Sequence, residues 1–287
     1  MADRLATPTT DPTNTPVGPG RTPDGVDVER VVRRFWALGG EEIALDGGVL
    51  VRHADCADQL WGTFLSQVRT PTPGALENLL AACEDLLDGG CRRIVLDRAT
   101  PPAVEAHLAL EEWRAEPLLQ LVLPAGTAVP PAQRTLHPLR TDQDWDRVRE
   151  LFRLDHVETD ELLGRRTRPE ASTAAAAALR RSLCPPAEYF AVHGDSGDGD
   201  SGDGGFIGFI GCWRDGGVGL VEDVYVRPPA RRHGVAGDML RFAVGRLRGA
   251  GAGPVVIGAD VNDTPKHLYA RFGFRPATVT RSWVRRT

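Results

Sequence analysis

Residues 224–237 read VYVRPPARRHGVAG, an apolar strand that passes through a turn into a helix. The N-terminus of a helix has unpaired backbone N–H groups and a partial positive charge, so it binds phosphate oxygens where small residues let them approach. Gly234, Ala236 and Gly237 keep side chains out of this turn, and Arg231 and Arg232 add positive charge. The stretch predicts a phosphate-binding turn, and an ordinary packing turn is the alternative.

The spacing of this turn differs from that of the common nucleotide-binding loops. The sequence contains no G-x-x-x-x-G-K-[ST] phosphate loop, and the turn lacks the G-x-G-x-x-G spacing of dinucleotide folds. Arg231-x-x-Gly234-x-Ala236 instead resembles the R/Q-x-x-G-x-G/A signature of the GCN5-related N-acetyltransferase (GNAT) superfamily. The segment VEDVYVRP at 221–228 looks like the fourth strand of that family, and Asn262 followed by LYARFGF at 268–274 is similar to its N...LY..xGF segment. Together these motifs place the resemblance in 134–287.

The resemblance implies a GNAT fold, an α/β (α+β) architecture with a mixed, partly parallel sheet that splays apart and is flanked by helices. Acyl-CoA would lie between the fourth and fifth strands, with its pantetheine arm along the strand backbone and its pyrophosphate over the turn. Its thiol end would meet Asn262 and Tyr269. The cofactor-binding residues implied in this way are Val224, Tyr225, Val226, Arg231, Arg232, His233, Gly234, Val235, Ala236, Gly237, Asn262 and Tyr269.

Acyl transfer to an amine needs a base that removes a proton, and strand alternation offers Glu222. Alternation places Leu220, Glu222, Val224 and Val226 on one face of the strand, so Glu222 is a lone carboxylate among apolar side chains. Loss of solvation there favours its neutral form and raises its proton affinity. The alternative is a buried ion pair with an arginine. Asp223, on the opposite face, is interpreted as structural.

Tyr269 is the second catalytic candidate, because the resemblance implies that the tyrosine of the LY..xGF segment protonates the departing thiolate. The alternative is a packed core tyrosine. His156, Glu158 and Asp160 fall between the first two helices of the C-terminal half, a region that in the family covers the acceptor site. Acidic groups there would hold a cationic amine, but a solvated loop is the favoured interpretation. His53, Asp55 and Cys56 are interpreted as structural.

The length of 287 residues favours two domains. Residues 1–25 are rich in Thr, Pro, Asp and Gly and predict a disordered tail without a secretory signal. Apolar spacing then predicts a helix over 28–38, a hairpin over 42–52 and alternating helices and strands to residue 123. The Pro-rich 125–133 predicts a linker, so the predicted domains are 26–124 and 134–287. The glycine and aspartate tract 194–205 predicts a flexible hairpin loop rather than a calcium loop.

An internal repeat appears when residues 91–123 are laid over residues 253–284. Each segment has a strand that ends in aspartate, Asp97 or Asp260, then a proline-led helix and a final strand. Two copies of one fold are therefore predicted. The first copy lacks the R/Q-x-x-G-x-G/A signature before its helix at Ala75, and Ala109 stands where the second has Tyr269. We expect a degenerate domain that shapes or covers the acceptor site and does not bind acyl-CoA.

Composition excludes several other classes of function. The net charge of −5 and pI near 5.8 give no basic footprint for nucleic acid. No apolar stretch approaches the roughly 18 residues that a membrane span needs. The five cysteines lack C-x-x-C pairs, which predicts no metal site and favours a reducing cytoplasm. A single lysine beside abundant Arg, Ala, Gly and Pro indicates a bacterial chain from a GC-rich genome.

These observations predict a tandem-domain acetyltransferase with one working site. It would transfer an acetyl group from acetyl-CoA directly to an amine, the acceptor being a small molecule because no peptide-recognition motif stands out. Two alternatives stay open: a non-enzymatic module that binds acyl-CoA and senses a ligand, and a transferase of another acyl group such as succinyl or propionyl. The oligomeric state, including a homodimer, is also left open.

Overall fold

The computed structural model describes residues 25–56, 59, 61–87, 90–194 and 205–285. The predicted disordered tail, apart from Gly25, and the predicted flexible loop between Gly194 and Gly205 lie outside these residues. None of the helices that the model describes is both long and apolar enough to cross a membrane.

Strands from both halves of the chain join in one 11-stranded sheet, in the order β1-β2-β3-β4-β11-β5-β10-β9-β8-β7-β6. The strands are β1 Glu41–Leu45, β2 Gly48–Arg52, β3 Thr63–Ser66, β4 Arg93–Leu96, β5 Trp113–Leu123, β6 Leu136–Pro138, β7 Glu188–His193, β8 Phe206–Asp215, β9 Val218–Val226, β10 Val255–Asp260 and β11 Arg275–Arg285. Most pairs are antiparallel, whereas β3 with β4 and β9 with β10 are parallel. The mixed, partly parallel sheet expected from the sequence is confirmed.

Helices cover both faces of this sheet. They are α1 Val28–Trp36, α2 Pro73–Glu84, α3 Pro102–Leu110, α4 Asp142–Leu162, α5 Glu170–Ser182, α6 Val235–Gly249 and α7 Pro265–Phe272. A capping box begins α4, because the Thr141 hydroxyl accepts from the N–H of Asp144 and the Asp144 carboxylate accepts from the N–H of Thr141.

The last strand of each half is exchanged with the other half. Strand β11 lies between β4 and β5, with Trp283 opposite Ile94 on one side and opposite Ala115 on the other. Strand β5 in turn lies between β11 and β10, where Val122 pairs with Val256. The predicted linker 125–133 is an irregular segment between β5 and β6. The domain boundaries stay a prediction, since the sheet runs through both halves without a break.

The two faces of the sheet bury separate cores. On the first face, α1, α4 and α5 pack with side chains such as Val122, Leu220 and Val256. Helix α1 reaches across to the C-terminal half, where Arg34 donates to Asp215 at the end of β8. On the second face, α6 and α7 cover the C-terminal strands and α2 and α3 cover the N-terminal strands. These are called the α1/α4/α5 face and the α6/α7 face below.

Both parallel pairs separate after a short stretch. Strand β9 pairs with β10 only from Gly219–Val221 opposite Val255–Ile257, and β3 pairs with β4 only at Leu65 opposite Ile94. Beyond these points the sheet is split once in each half. The C-terminal split lies directly before the phosphate-binding turn predicted from the sequence.

Candidate functional site

The turn from β9 into α6 is open at its centre. Gly234 is the N-cap of α6 with φ +81°, and no side chain caps the helix. A side chain here would adopt a left-handed backbone that L-residues disfavour, and a Cβ built on Gly234 meets no atom within 4 Å. The space in front of the first free N–H groups of α6 is therefore clear, as an anion site at a helix N-terminus requires.

The arginines of the turn have different surroundings. Arg231 donates from Nε to the carbonyl oxygen of Val226, 2.8 Å away, and its guanidinium pairs with Glu158 of α4. It also lies 5.6 Å from the ring centroid of Tyr225. Arg231 therefore ties α4 to the end of β9, whereas Arg232 and His233 are exposed on the turn.

Strand β9 contains a bulge that the sequence analysis did not anticipate. Phe209 and Gly211 of β8 face Tyr225 and Glu222, so β9 holds one extra residue there, and Asp223 has φ +51°. The prediction that Leu220, Glu222, Val224 and Val226 share one face is wrong. Leu220 belongs to the core of the α1/α4/α5 face, whereas Val224 and Val226 pack on the α6/α7 face. The extra residue reverses the alternation after Glu222.

Glu222 is partly buried on the Leu220 side of the strand and makes no hydrogen bond or ion pair with the described residues. Burial, and next the negative charge of Asp223, raise the pKa of Glu222 to about 8. The arginine that would pair with it, Arg180 of α5, instead donates twice to Asp223 at 3.1 Å. Glu222 is thus a carboxyl group with high proton affinity and a free hydrogen-bonding edge.

The Asp223 carboxylate holds the bulge in place. It accepts from Arg180 and, at 2.7 Å, from the hydroxyl of Tyr189, which is 2 % exposed. These contacts place Asp223 toward α5, on the same side of the sheet as Tyr189. Asp223 was predicted to be structural on the opposite face from Glu222; the bulge instead brings both carboxylates toward one side.

Replacing Tyr189 by phenylalanine tests this network. We expect Tyr189→Phe to lower the free energy of unfolding by about 1.5–3 kcal/mol, because a buried hydrogen bond to a charged group is lost. Tyr225→Phe is the matched control, since its hydroxyl lies 3.5 Å from Glu158 and makes only a weak bond. Urea unfolding measures both. Equal losses in the two variants would contradict the role assigned to Asp223.

A residue of the N-terminal half lies beside Glu222. Ile257 and Val221 form the last pair between β10 and β9, so the next residues, Gly258 and Glu222, lie side by side where the two strands part. On its other side, Gly258 pairs with Gln120 of β5. Gln120 is 2 % exposed; its Nε2 donates to Thr280 at 3.1 Å, and its Oε1 has no partner among the described residues. Glu222, Gly258 and Gln120 thus form a row on the α1/α4/α5 face. The sequence signal was a lone polar residue in the apolar run LLQLVL, and it was missed.

Tyr269 and Asn262 lie beyond the split. Tyr269 of α7 is buried on the α6/α7 face beside Phe274, with ring centroids 6.2 Å apart, and its hydroxyl has no hydrogen bond to the described residues. Burial, and next the charge of Glu222, raise the pKa of Tyr269 well above its ordinary value. Asn262 is exposed after β10, where its N–H donates to Asp260. The structure thus brings Tyr269 within electrostatic range of Glu222.

The acidic residues between the first two C-terminal helices are part of α4, so the solvated-loop interpretation is wrong. Asp160 is bound at both oxygens by Arg168, which lowers the pKa of Asp160 to about 2. His156 shares a 2.9 Å hydrogen bond with Thr173, and burial lowers the pKa of His156 to about 4. Both residues therefore hold α4 in place. Glu158 pairs with Arg231, as described above.

Asp155 is a site residue that the sequence analysis missed. Burial, and next the charges of Asp223 and Glu158, raise the pKa of Asp155 to about 6. It makes no hydrogen bond or ion pair with other described residues. The signal was its position, because Val148, Phe152 and Asp155 follow helical spacing along the apolar stripe of α4. A carboxylate on that stripe faces β9 rather than solvent.

No cluster of three or more His, Cys, Asp or Glu side chains within the described residues is arranged to hold a metal ion. Together with the open turn and the split, the carboxylates facing β9 form one site between β9, β10, α4 and α6.

Comparison with known proteins agrees with this geometry. Residues 187–276 match the family model of the acetyltransferase (GNAT) domain. A search of curated proteins gave no match. Among solved structures, the chain is similar to a GCN5-related N-acetyltransferase from Kribbella flavida, at 15 % identity, covering 91 % of this chain and 95 % of that one with a TM-score of 0.58.

Two further structures show the same likeness. A GCN5-related N-acetyltransferase from Sphaerobacter thermophilus is 16 % identical, with 92 % of this chain and 86 % of that one covered and a TM-score of 0.51. A conserved protein of unknown function from Staphylococcus epidermidis is 13 % identical, with 87 % of this chain and 96 % of that one covered and a TM-score of 0.58. At such identities the likeness establishes the fold alone. Residues 187–276 thus match the GNAT acetyltransferase domain, and the fold of the chain as a whole is that of these GNAT structures.

Proposed function

We propose that the C-terminal half transfers an acetyl group from acetyl-CoA directly to an amine of a small molecule, at the split between β9 and β10. The observation that carries the proposal is Glu222, an unpaired carboxyl group with a raised pKa at the point where the strands part. Its strand leads straight into the open N-terminus of α6 at Gly234. One segment therefore supplies both a proton acceptor and a phosphate-binding turn.

The cofactor residues follow from the resemblance and from the open turn. The pyrophosphate would contact the free N–H groups of Val235, Ala236 and Gly237, with Arg232 and His233 adding side-chain donors. The pantetheine arm would pair with the backbone beyond Asp223, where β9 has left β10. Arg231 would act on the turn through its bond to Val226 and not on the phosphates, since its guanidinium is held by Glu158.

The chemistry assigned to these residues is a direct displacement. The amine nitrogen attacks the thioester carbonyl carbon, the carbon–sulfur bond breaks, and the thiolate leaves. Glu222 takes the proton from the amine, and Tyr269 gives a proton to the thiolate. Asp155, with a pKa of about 6, is mainly ionised at neutral pH, and its negative charge favours an amine that arrives as a cation.

The test is release of free CoA thiol from acetyl-CoA, measured with purified full-length protein and a panel of small amines. Thiol release that depends on an added amine, with the acetylated amine as product, supports the proposal. Faster turnover of succinyl- or propionyl-CoA would reassign the acyl group. Tight acyl-CoA binding without turnover of any amine would favour the sensor alternative. All five cysteines are free, which supports the proposed cytoplasmic location.

Tyr269→Phe gives a separate test of the acid. We expect a loss of turnover of about 10²–10⁴-fold. The raised pKa of Tyr269 keeps the phenol neutral throughout the working range of pH, so the loss is the same at every pH between about 6 and 9. Steady-state rates across pH measure it. An unchanged rate would leave Tyr269 as a packed core residue.

A further inference from the structure

The N-terminal half encloses a cavity of about 320 Å³ between α1 and a floor formed by β4, β11 and β5. The floor presents Val95, Leu118, Thr280 and Ser282. Because β11 belongs to the C-terminal half, the exchanged strand supplies both floor hydroxyl groups. The volume is at the lower end of the range for small-molecule sites, about 300–1,000 Å³.

This cavity occupies the same place in its half as Glu222 does in the other. Leu65 pairs with Ile94 at the last contact of β3 with β4, as Val221 pairs with Ile257. The second residue after each last pair is left-handed, with φ +52° at Gln67 and +51° at Asp223. Ser66 therefore stands where the C-terminal half has Glu222. The cavity is thus the counterpart of the transfer site, with a serine in the place of Glu222.

The mouth of the cavity carries both signs of charge in exposed ion pairs. Arg69 pairs with Asp97 at 2.7 Å, with side chains 43 % and 23 % exposed, and Arg98 contacts Asp27 at 3.3 Å. Exposed pairs of this kind contribute little to stability, so a ligand with charges of both signs displaces them at small cost. Glu29 adds a third acid, and burial raises its pKa.

Arg93 contacts the floor from outside the lining. Arg93, 4 % exposed, donates from Nη1 to the Ser282 hydroxyl at 2.8 Å and lies 4.3 Å from the ring centroid of Trp61. Its Nε has no partner among the described residues. Its charge is balanced by Glu116, which accepts from Nη2 at 2.9 Å. The charged lining residues themselves carry a formal excess of one positive charge, with four arginines and three acids: Arg30, Arg33, Arg69, Arg98, Asp27, Glu29 and Asp97.

We propose that this cavity binds a small zwitterion of the amino acid class, independently of acyl-CoA. The carboxylate lies at Arg69, and the ammonium group lies at Asp27 and Glu29 at the start of α1. The aliphatic lining from Val32, Val95 and Leu118 holds the side chain. The site goes beyond the proposed acyl transfer, since it lies in the N-terminal half and has no phosphate-binding turn.

The experiment is isothermal calorimetry on the full chain with each standard amino acid. Each ligand that binds is compared with its amide, which lacks the carboxylate, and with the acid that lacks the amino group. We expect one ligand per chain and weaker binding of both analogues by at least about tenfold, since each loses a charge-assisted contact. Val95→Phe, which fills the cavity, abolishes binding. Arg69→Gln at the exposed mouth weakens binding by at least about fivefold.

Arg285→Gln is the matched control, because Arg285 of β11 forms an exposed ion pair with Glu84 of the N-terminal half but does not line the cavity. We expect this variant to bind the amino acid with the affinity of the wild type. Absence of binding by every amino acid overturns the proposal, as does binding that persists in Val95→Phe and Arg69→Gln. Acyl-CoA binding is measured in the same samples and stays unchanged in all three variants. Failure of the transfer assay would leave these results unaffected.

Discussion

Gly234→Val is expected to abolish binding of acetyl-CoA, raising Kd by at least about a hundredfold, which is about 2.7 kcal/mol. The valine side chain would fill the clear space in front of the N-terminus of α6, where a Cβ now meets no atom within 4 Å. It would also force an L-residue into φ +81°, at a cost of about 1–2 kcal/mol. Calorimetry with acetyl-CoA and the purified variant measures the loss.

Gly216→Val is the control for the effect of backbone strain alone. Gly216 lies in the turn between β8 and β9, has φ +56° and also has open space around its missing Cβ. We expect Gly216→Val to lower the melting temperature as Gly234→Val does but to bind acetyl-CoA normally. Normal binding by Gly234→Val would refute the phosphate-binding turn and leave the packing turn as its interpretation.

Glu222→Gln is expected to lower turnover by about 10²–10⁴-fold, the usual contribution of a general base. The amide keeps the shape of the carboxyl group, so the affinity for acetyl-CoA stays within a few fold. Because the base acts in its deprotonated form, the wild-type rate rises with pH, and the midpoint of this rise lies near the Glu222 pKa of about 8. The variant lacks this rise, and turnover measured at several pH values shows the difference.

The same pKa has a consequence for stability. Folding raises the pKa of Glu222 from 4.5 to about 8, so the folded state favours the protonated carboxyl group. The resulting stability is fully present below pH 4.5 and is lost as pH rises through about 8. Glu222→Gln does not titrate, so its free energy of unfolding relative to wild type should increase over this window. Urea unfolding at several pH values measures it.

Wild-type turnover in Glu222→Gln with the true acceptor would show that another group removes the proton. Asp155 is then the next candidate, because it faces the same strand, has a raised pKa and makes no ion pair with the described residues. The fold and the phosphate-binding turn would stand in that case.

Elements with a clear apolar period could be predicted from the sequence. The faces of β9 could not, because one extra residue reverses the alternation of its side chains. The segment 221–228, expected as a strand, lies largely within β9 at Val218–Val226, but alternation assumed an unbroken strand. The bulge depends on Asp223 adopting φ +51°, which Arg180 and Tyr189 stabilise from distant positions in the chain. No local pattern encodes that contact. The short strand β3, Thr63–Ser66, was missed for a related reason, since four residues are too few to show a period.

The order of strands was beyond sequence reasoning as well. The apolar pattern of β5 and β11 predicts that both are buried strands, but it does not name their neighbours. For that reason Gln120 was not connected to Glu222, although the structure brings the two into one row through Gly258. The proposed phosphate-binding turn could be predicted because its chemistry resides in consecutive residues. The proposed acceptor side could not, because α4, β9 and β5 contribute its residues from separate parts of the chain.

The exchange of β5 and β11 sets the order in which this chain can fold during its synthesis. Strands β4 and β5 leave the ribosome early, yet the strand that lies between them is residues 275–285. Until that segment arrives, the first half exposes two unpaired strand edges, which are prone to pair with other chains. Contacts so distant in sequence also slow folding. The N-terminal half therefore completes its sheet only after the C-terminal half has been made.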